Sequence, residues 1–253
     1  DDAARLDERR ALAAELATLA DAADEPSFRI RAAHEQAMAA AYLGDDDAVD
    51  EAMATLESLA APGSPDFPVA EAMLAEHRAA RLARAGRFAE AQAALAAIPG
   101  AAADRHRSVL AHLWTDASAA PAPPPLAPSP SLAALHELGL AALSGDPRAR
   151  AWLAPHADLV CGFGYRTFVG AAAFHLGRLA AAEGEWAEAE RNLLSALRLH
   201  TALRARPWVA WTQTALAGVL ESRGRPSDRE WIAGLRAEAE WVATDLGLRP
   251  LPA

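Results

Sequence analysis

Not one lysine occurs among the 253 residues: all 24 basic side chains are arginine, set against 34 Asp and Glu, for a formal charge of −10. Arginine used alone in this way reflects a GC-rich genome more than chemistry. The acidic balance repels phosphate and argues against direct DNA binding, and no helix-turn-helix recognition sequence is present. Cysteine occurs once, at Cys161. An internal disulfide is therefore excluded, and a reducing compartment, the cytoplasm, is expected. Aromatics make up only 6% of the chain, β-branched residues are sparse, and no alternating pattern lasts more than a few residues, so essentially no sheet is expected. There is no signal peptide and no run of 18 apolar residues, so no membrane span is expected.

Catalytic signatures are also lacking. His34, His77, His106, His112, His136, His156, His175 and His200 are scattered, without the H-E-x-x-H or C-x-x-C spacing of a metal site. Ser195 and Ser222 have no nucleophile elbow around them. No strand is expected before Gly162-Phe163-Gly164, which also lacks the third glycine and lysine of a phosphate-cradling loop. The expectation is no enzyme activity, no cofactor and no metal.

What the chain does have is alanine and helical periodicity. Its hydrophobic content is 52%, mostly alanine, the residue of highest helix propensity and one that lets helices approach closely. Residues 173 to 203 show the pattern best. Leu176, Leu179 and Ala180 share a face with Ala172 and Ala173, Gly184 ends that helix, and Trp186, Ala189, Leu193, Leu194, Ala196 and Leu197 form a second stripe. Glu185, Glu188, Glu190 and Arg191 turn to water. A helix pair of this kind cannot bury both stripes alone and needs neighbouring pairs. The same punctuation recurs at Gly44, Gly86, Gly145, Gly184 and Gly224, with spacings of 42, 59, 39 and 40 residues. Glycine ends helices because it enters the left-handed conformation at no steric cost. Five helical hairpins with a period near 40 are expected, the one long interval containing a proline-rich insertion.

These hairpins resemble tetratricopeptide repeats. Against the pattern W-x2-L-G-x2-Y…A-x3-F…P, the central hairpin offers Ala173-x2-Leu176-Gly177-x2-Ala180 and then Ala189-x3-Leu193, with Thr201 near the place of the terminal proline. The period near 40 and the shrunken large positions, Ala173 and Ala180, fit longer divergent repeats. The stretch LGRLAAAEGEWAEAERNLLSALRLHTALRARPWVAWTQTALAGVLESRG further resembles the carboxy-terminal repeat region of large bacterial signal-transducing ATPases, relatives of the maltose-regulon activator and of antibiotic regulatory proteins. The likeness is close over residues 132 to 249 and looser over 1 to 115. It implies an all-α fold, a right-handed superhelix of stacked hairpins, acting as a sensor or scaffold in transcription regulation and signal transduction.

In chain order, residues 3 to 22 predict a helix with Leu6, Leu12, Leu16 and Leu19 as its stripe, capping the array or completing a hairpin with something upstream. Opening on Asp1-Asp2 without methionine suggests a piece of a longer polypeptide. Asp45-Asp46-Asp47 reads as acids favoured at a helix N-terminus rather than as a metal site. Residues 61 to 68, with three prolines and a glycine, predict a loop before a hairpin over 69 to 98, and 103 to 116 predict a lone helix. Pro121 to Pro130 holds six of the seventeen prolines and predicts a mobile, non-helical linker. The organisation expected is thus N-terminal repeats over 1 to 116, a linker over 117 to 131, and C-terminal repeats over 132 to 253. Within the last part, Pro155 should kink or shorten a helix over 147 to 160, Cys161-Gly162-Phe163-Gly164 should be a tight turn, and Ser227 to Glu230 should form a capping box.

In a stacked array the first helix of each hairpin lines the concave face. Carrying that register across, the candidate binding residues are Arg31, His34 and Met38; Glu76 and His77; His136; Tyr165 and Arg166; Phe174 and Arg178; and Trp208, Trp211 and Thr214. The tryptophans stand out because Trp is enriched at binding hot spots. The expected partner is a protein domain, a peptide or a small-molecule effector, with no nucleic acid and no membrane. The reading that follows is a non-catalytic interaction or effector-sensing region of a multidomain bacterial regulator; the alternative is a free-standing peptide-binding scaffold or chaperone-like repeat protein.

Overall fold

A computed structural model describes residues 2–59, 67–84, 87–96, 147–163 and 167–248. The expected helix over 103 to 116, the proline-rich linker and the turns at Gly86 and Gly145 lie outside these residues. The chain forms two compact units, Asp1–Arg107 and Ser108–Ala253, and the described residues are overwhelmingly helical.

In the first unit the elements are α1 (Asp2–Ala23), α2 (Pro26–Leu43), α3 (Asp46–Leu59), α4 (Phe67–Arg84) and α5 (Phe88–Ala96). Each packs on the next, and α2 also touches α4. Helix α2 ends as the sequence predicts: Gly44 takes φ 72°, its N–H donates to the Ala41 carbonyl at 3.3 Å, and the Asp45 N–H donates to the Ala40 carbonyl at 3.0 Å. Asp45 then caps α3, its Oδ1 accepting from the N–H of Ala48 at 3.1 Å, while Asp46 and Asp47 occupy the first turn. The core gathers Ile30, Val49, Met53, Leu56, Met73 and Leu74.

The stripe expected on α1 is rotated in the structure. Ala13 and Ala20 are buried, whereas Leu12 and Leu19 are 56% and 58% exposed. Helix α1 docks on α2 through alanines. Small side chains permit close backbone approach, and that contact decides which way the leucines point.

The second unit contains α6 (Pro147–Leu153), β1 (Val160–Phe163), β2 (Thr167–Ala171), α7 (Ala172–Ala182), α8 (Trp186–Ala202), α9 (Arg206–Arg223) and α10 (Arg229–Asp245). Pro155 does shorten its helix: α6 stops at Leu153 and a single 3-10 turn follows over Ala154–His156. Helices α7 to α10 pack in sequence, and α7 touches α9 as α2 touches α4. Gly184 and Gly224 take φ 78° and 72° between paired helices. Gly177 sits where α7 crosses α8 so closely that a Cβ there would stand 2.6 Å from Leu193 Cγ.

Two expectations in this unit are corrected. The Cys161-Gly162-Phe163 stretch is a strand, not a tight turn. It pairs antiparallel with β2 in the register Val160↔Ala171, Gly162↔Phe168, Phe163↔Thr167, with an irregularity between Val160 and Gly162. Strands of four and five residues are too short to declare themselves by alternation. The capping box is absent as well. Pro226–Asp228 forms a 3-10 turn and no side chain caps α10. Asp228 instead accepts from Arg223 at 2.7 Å, and Arg223 also pairs with Glu190, tying α8, α9 and the start of α10 together. This arginine holds the Asp228 carboxyl below its ordinary range, chiefly through the hydrogen bond.

Candidate functional site

In the first unit the structure brings together His34 of α2 and His77 of α4. Their rings hydrogen-bond, His34 Nδ1 to His77 Nε2, at 3.1 Å, with ring centroids 5.1 Å apart and planes tilted by 59°. One nitrogen of that pair must donate and the other accept, so at least one ring is neutral. His34, His77, Glu76 and Met38 are all interior. His34 and His77 join the first helices of successive hairpins, and none of the four lines an accessible groove, where the register places them. Arg31 is exposed and lies 3.8 Å from Glu35.

In the second unit Phe174, Trp208 and Trp211 are likewise interior. Trp208 meets Phe174 edge-on at 5.6 Å and Trp211 edge-on at 4.9 Å, a geometry favoured by the ring quadrupoles. The Arg178 guanidinium lies 6.0 Å from the Phe174 ring centroid, and burial lowers its pKa. Thr214 is exposed, and its hydroxyl donates to the Ala210 carbonyl at 3.0 Å. His136, Tyr165 and Arg166 lie outside the described residues.

At the centre of this aromatic group is a residue that sequence reasoning did not single out. His200 is fully buried. Its Nε2 accepts the Ala171 N–H at 2.8 Å, which leaves the proton on Nδ1. Nδ1–H donates to Thr212 Oγ1 at 2.8 Å, and that hydroxyl donates to the Trp208 carbonyl at 2.7 Å. This tautomer satisfies every donor and acceptor in the chain of bonds. Burial, followed by the neighbouring His175, pushes the His200 pKa down to about 3, so the ring is neutral at physiological pH. The network fastens β2 to α8 and α9. Gly170, at φ +91°, lies flat on the Trp208 indole, where a Cβ would come within 2.5 Å of the ring. The only sequence trace of this arrangement is the pairing of Gly170 with a downstream tryptophan, which spacing alone cannot reveal.

Reactive chemistry is not favoured at either cluster. Cys161, on β1 of the hairpin, is buried, and burial pushes its thiol up to about 12, far from thiolate reactivity. Among the described residues no three His, Cys, Asp or Glu side chains gather as a metal site requires. No helix among them is long and apolar enough to cross a membrane.

Among the described residues two surface clefts of the first unit repeat one another. The first, about 300 Å³, lies among α1, α2 and α3; the second, about 650 Å³, lies among α3, α4 and α5. A shift of 42 residues, the spacing of Gly44 and Gly86, carries Gln36, Ala39, Ala40, Asp45, Ala48 and Ala52 of the first lining onto Arg78, Arg81, Leu82, Arg87, Glu90 and Ala94 of the second. A shift of 40 carries Arg10, Ala13 and Ala14 of α1 onto Asp50, Met53 and Ala54 of α3.

No family model matches the chain. No curated protein matches it either, and no solved structure does.

Proposed function

We propose that this chain is a non-catalytic interaction or effector-sensing region of a multidomain bacterial transcriptional or signalling ATPase regulator, its tetratricopeptide-like hairpins stacked into a right-handed superhelix. The observation that carries the reading is the internal register. The same lining positions recur 42 residues apart in consecutive clefts, and first helices of successive hairpins touch in both units, α2 on α4 and α7 on α9. Repeats related in this way build extended binding surfaces rather than catalytic centres. The resemblance of residues 132 to 249 to the repeat regions of such regulators supplies the biological context. Arg31 and Thr214, with the exposed part of Arg178, are the proposed contact residues, while the interior histidines and aromatics set the shape behind them.

The complete gene tests this reading. An adjoining nucleotide-binding domain or DNA-binding module supports it, and an open reading frame containing hairpins alone would replace it with a free-standing peptide-binding scaffold. The isolated chain should bind neither ATP nor duplex DNA at physiological salt, as measured with a fluorescent nucleotide and a labelled oligonucleotide. Binding of either to the isolated chain would overturn the assignment.

A further inference from the structure

The two repeated clefts differ in how their charges are satisfied. In the second, Asp50 pairs with Arg81 and Arg87 pairs with Glu90. The register carries these positions back to Arg10 and Asp45 in the first cleft, and their partners back to Ala39 and Ala48. The first cleft thus keeps one cation and one anion at places where the next repeat sets ion pairs, but each partner is cut back to a methyl group. Among the described residues neither Arg10 nor Asp45 takes part in an ion pair. Glu51 adds a second acid to the α3 wall, and it does not pair with Arg10 although the two line the same space. The rest of the lining is mostly alanine, with Gln36, Leu43 and Thr55.

We propose that this cleft binds a small zwitterion of the amino-acid or dipeptide class. Its carboxylate meets Arg10, whose guanidinium suits a planar two-oxygen group. Its ammonium meets Asp45 and Glu51, and its aliphatic body lies on Ala13, Ala40 and Ala52. A volume of about 300 Å³ is at the lower end of the range for small-molecule sites, which limits the ligand to this size. The ligand supplies the two charges that Arg81 and Glu90 supply one repeat later, with the signs reversed to match. This site shares no residue with the proposed contact surface on the first helices. Loss of dipeptide binding and failure of the regulator assignment are therefore separate results.

The test is calorimetric titration of the 253-residue protein with L-alanyl-L-leucine and with L-leucine. Parallel titrations use the dipeptide acetylated at its amine, amidated at its carboxylate, or blocked at both ends. Saturable one-to-one binding of at least one of the two zwitterions is expected, weakened at least tenfold by either single block. Arg10→Gln should weaken it to a similar degree. So should Asp45→Asn, which removes the charge but keeps the helix cap, since Asn caps as well as Asp. Ala48→Arg places a partner for Asp45 where Glu90 serves Arg87, and should abolish binding with the helical circular dichroism unchanged. The proposal is overturned if neither zwitterion binds saturably, if the blocked peptides bind equally well, or if Arg10→Gln or Asp45→Asn leaves affinity unchanged.

Discussion

Acidification should weaken the second unit through His200, and the structure says by how much. In the folded chain burial lowers this imidazole from 6.5 to about 3. In the unfolded chain it takes up a proton near 6.5. Above that pH neither state is protonated, and His200 contributes no pH dependence. As pH falls from 6.5 toward 3 the unfolded state binds the proton alone, so stability falls with pH. Between pH 7 and 4.5 the loss is about 2–3 kcal/mol, at 1.36 kcal/mol per pKa unit. All seven tryptophans lie in Ser108–Ala253, so urea denaturation followed by tryptophan fluorescence reports on this unit alone. The midpoint should drop steadily over that pH range. His200→Gln offers an acceptor for the Ala171 N–H and a donor for Thr212 without titrating, and should flatten most of the decline even if it is less stable at pH 7. Equal stability at pH 7 and 4.5, or an undiminished slope in His200→Gln, would show that the imidazole is not buried in the folded state.

Three further outcomes follow from packing. Leu193 is fully buried, so Leu193→Ala should cost about 2–5 kcal/mol; Gly177→Ala should cost about 1–3 kcal/mol through the clash with Leu193, and the pair should be less destabilising than their sum in denaturation experiments, because truncating Leu193 makes room for the new methyl group. Trp211→Ala should destabilise the second unit by about 3–5 kcal/mol, since Trp211 is 3% exposed; an unchanged melting temperature would return it to an accessible groove. Cys161 should resist a thiol reagent such as dithionitrobenzoate in native buffer at pH 8 and react fully in denaturant, and rapid native labelling would contradict its burial.

Much of the helical layout was legible in the chain. Gly44, Gly184 and Gly224 mark turns because only glycine takes the left-handed conformation freely. The stripe through Leu176, Leu179 and Ala180 and the one through Ala189 and Leu193 face the interior because helical period and apolarity coincide there. Asp45 is a cap because its short carboxylate reaches the first free N–H groups. These are local rules, and residues a few positions apart suffice to state them.

Other features depended on neighbours distant in sequence. Turns at Asp24 and Arg204 take positive φ without glycine, so glycine punctuation does not find them. The short β-hairpin persists because Ala171 finds His200 29 residues later. Leu12 and Leu19 stay exposed because α2 accepts alanines. Helix position alone places His34, Trp208 and Trp211 on a contact surface, since one helix cannot reveal what the next places over it; all three are buried. The clefts show the same division: the 42-residue register is written in the glycines and the Arg87–Glu90 pair spans only three residues, but the Asp50–Arg81 pair exists only once α3 and α4 meet.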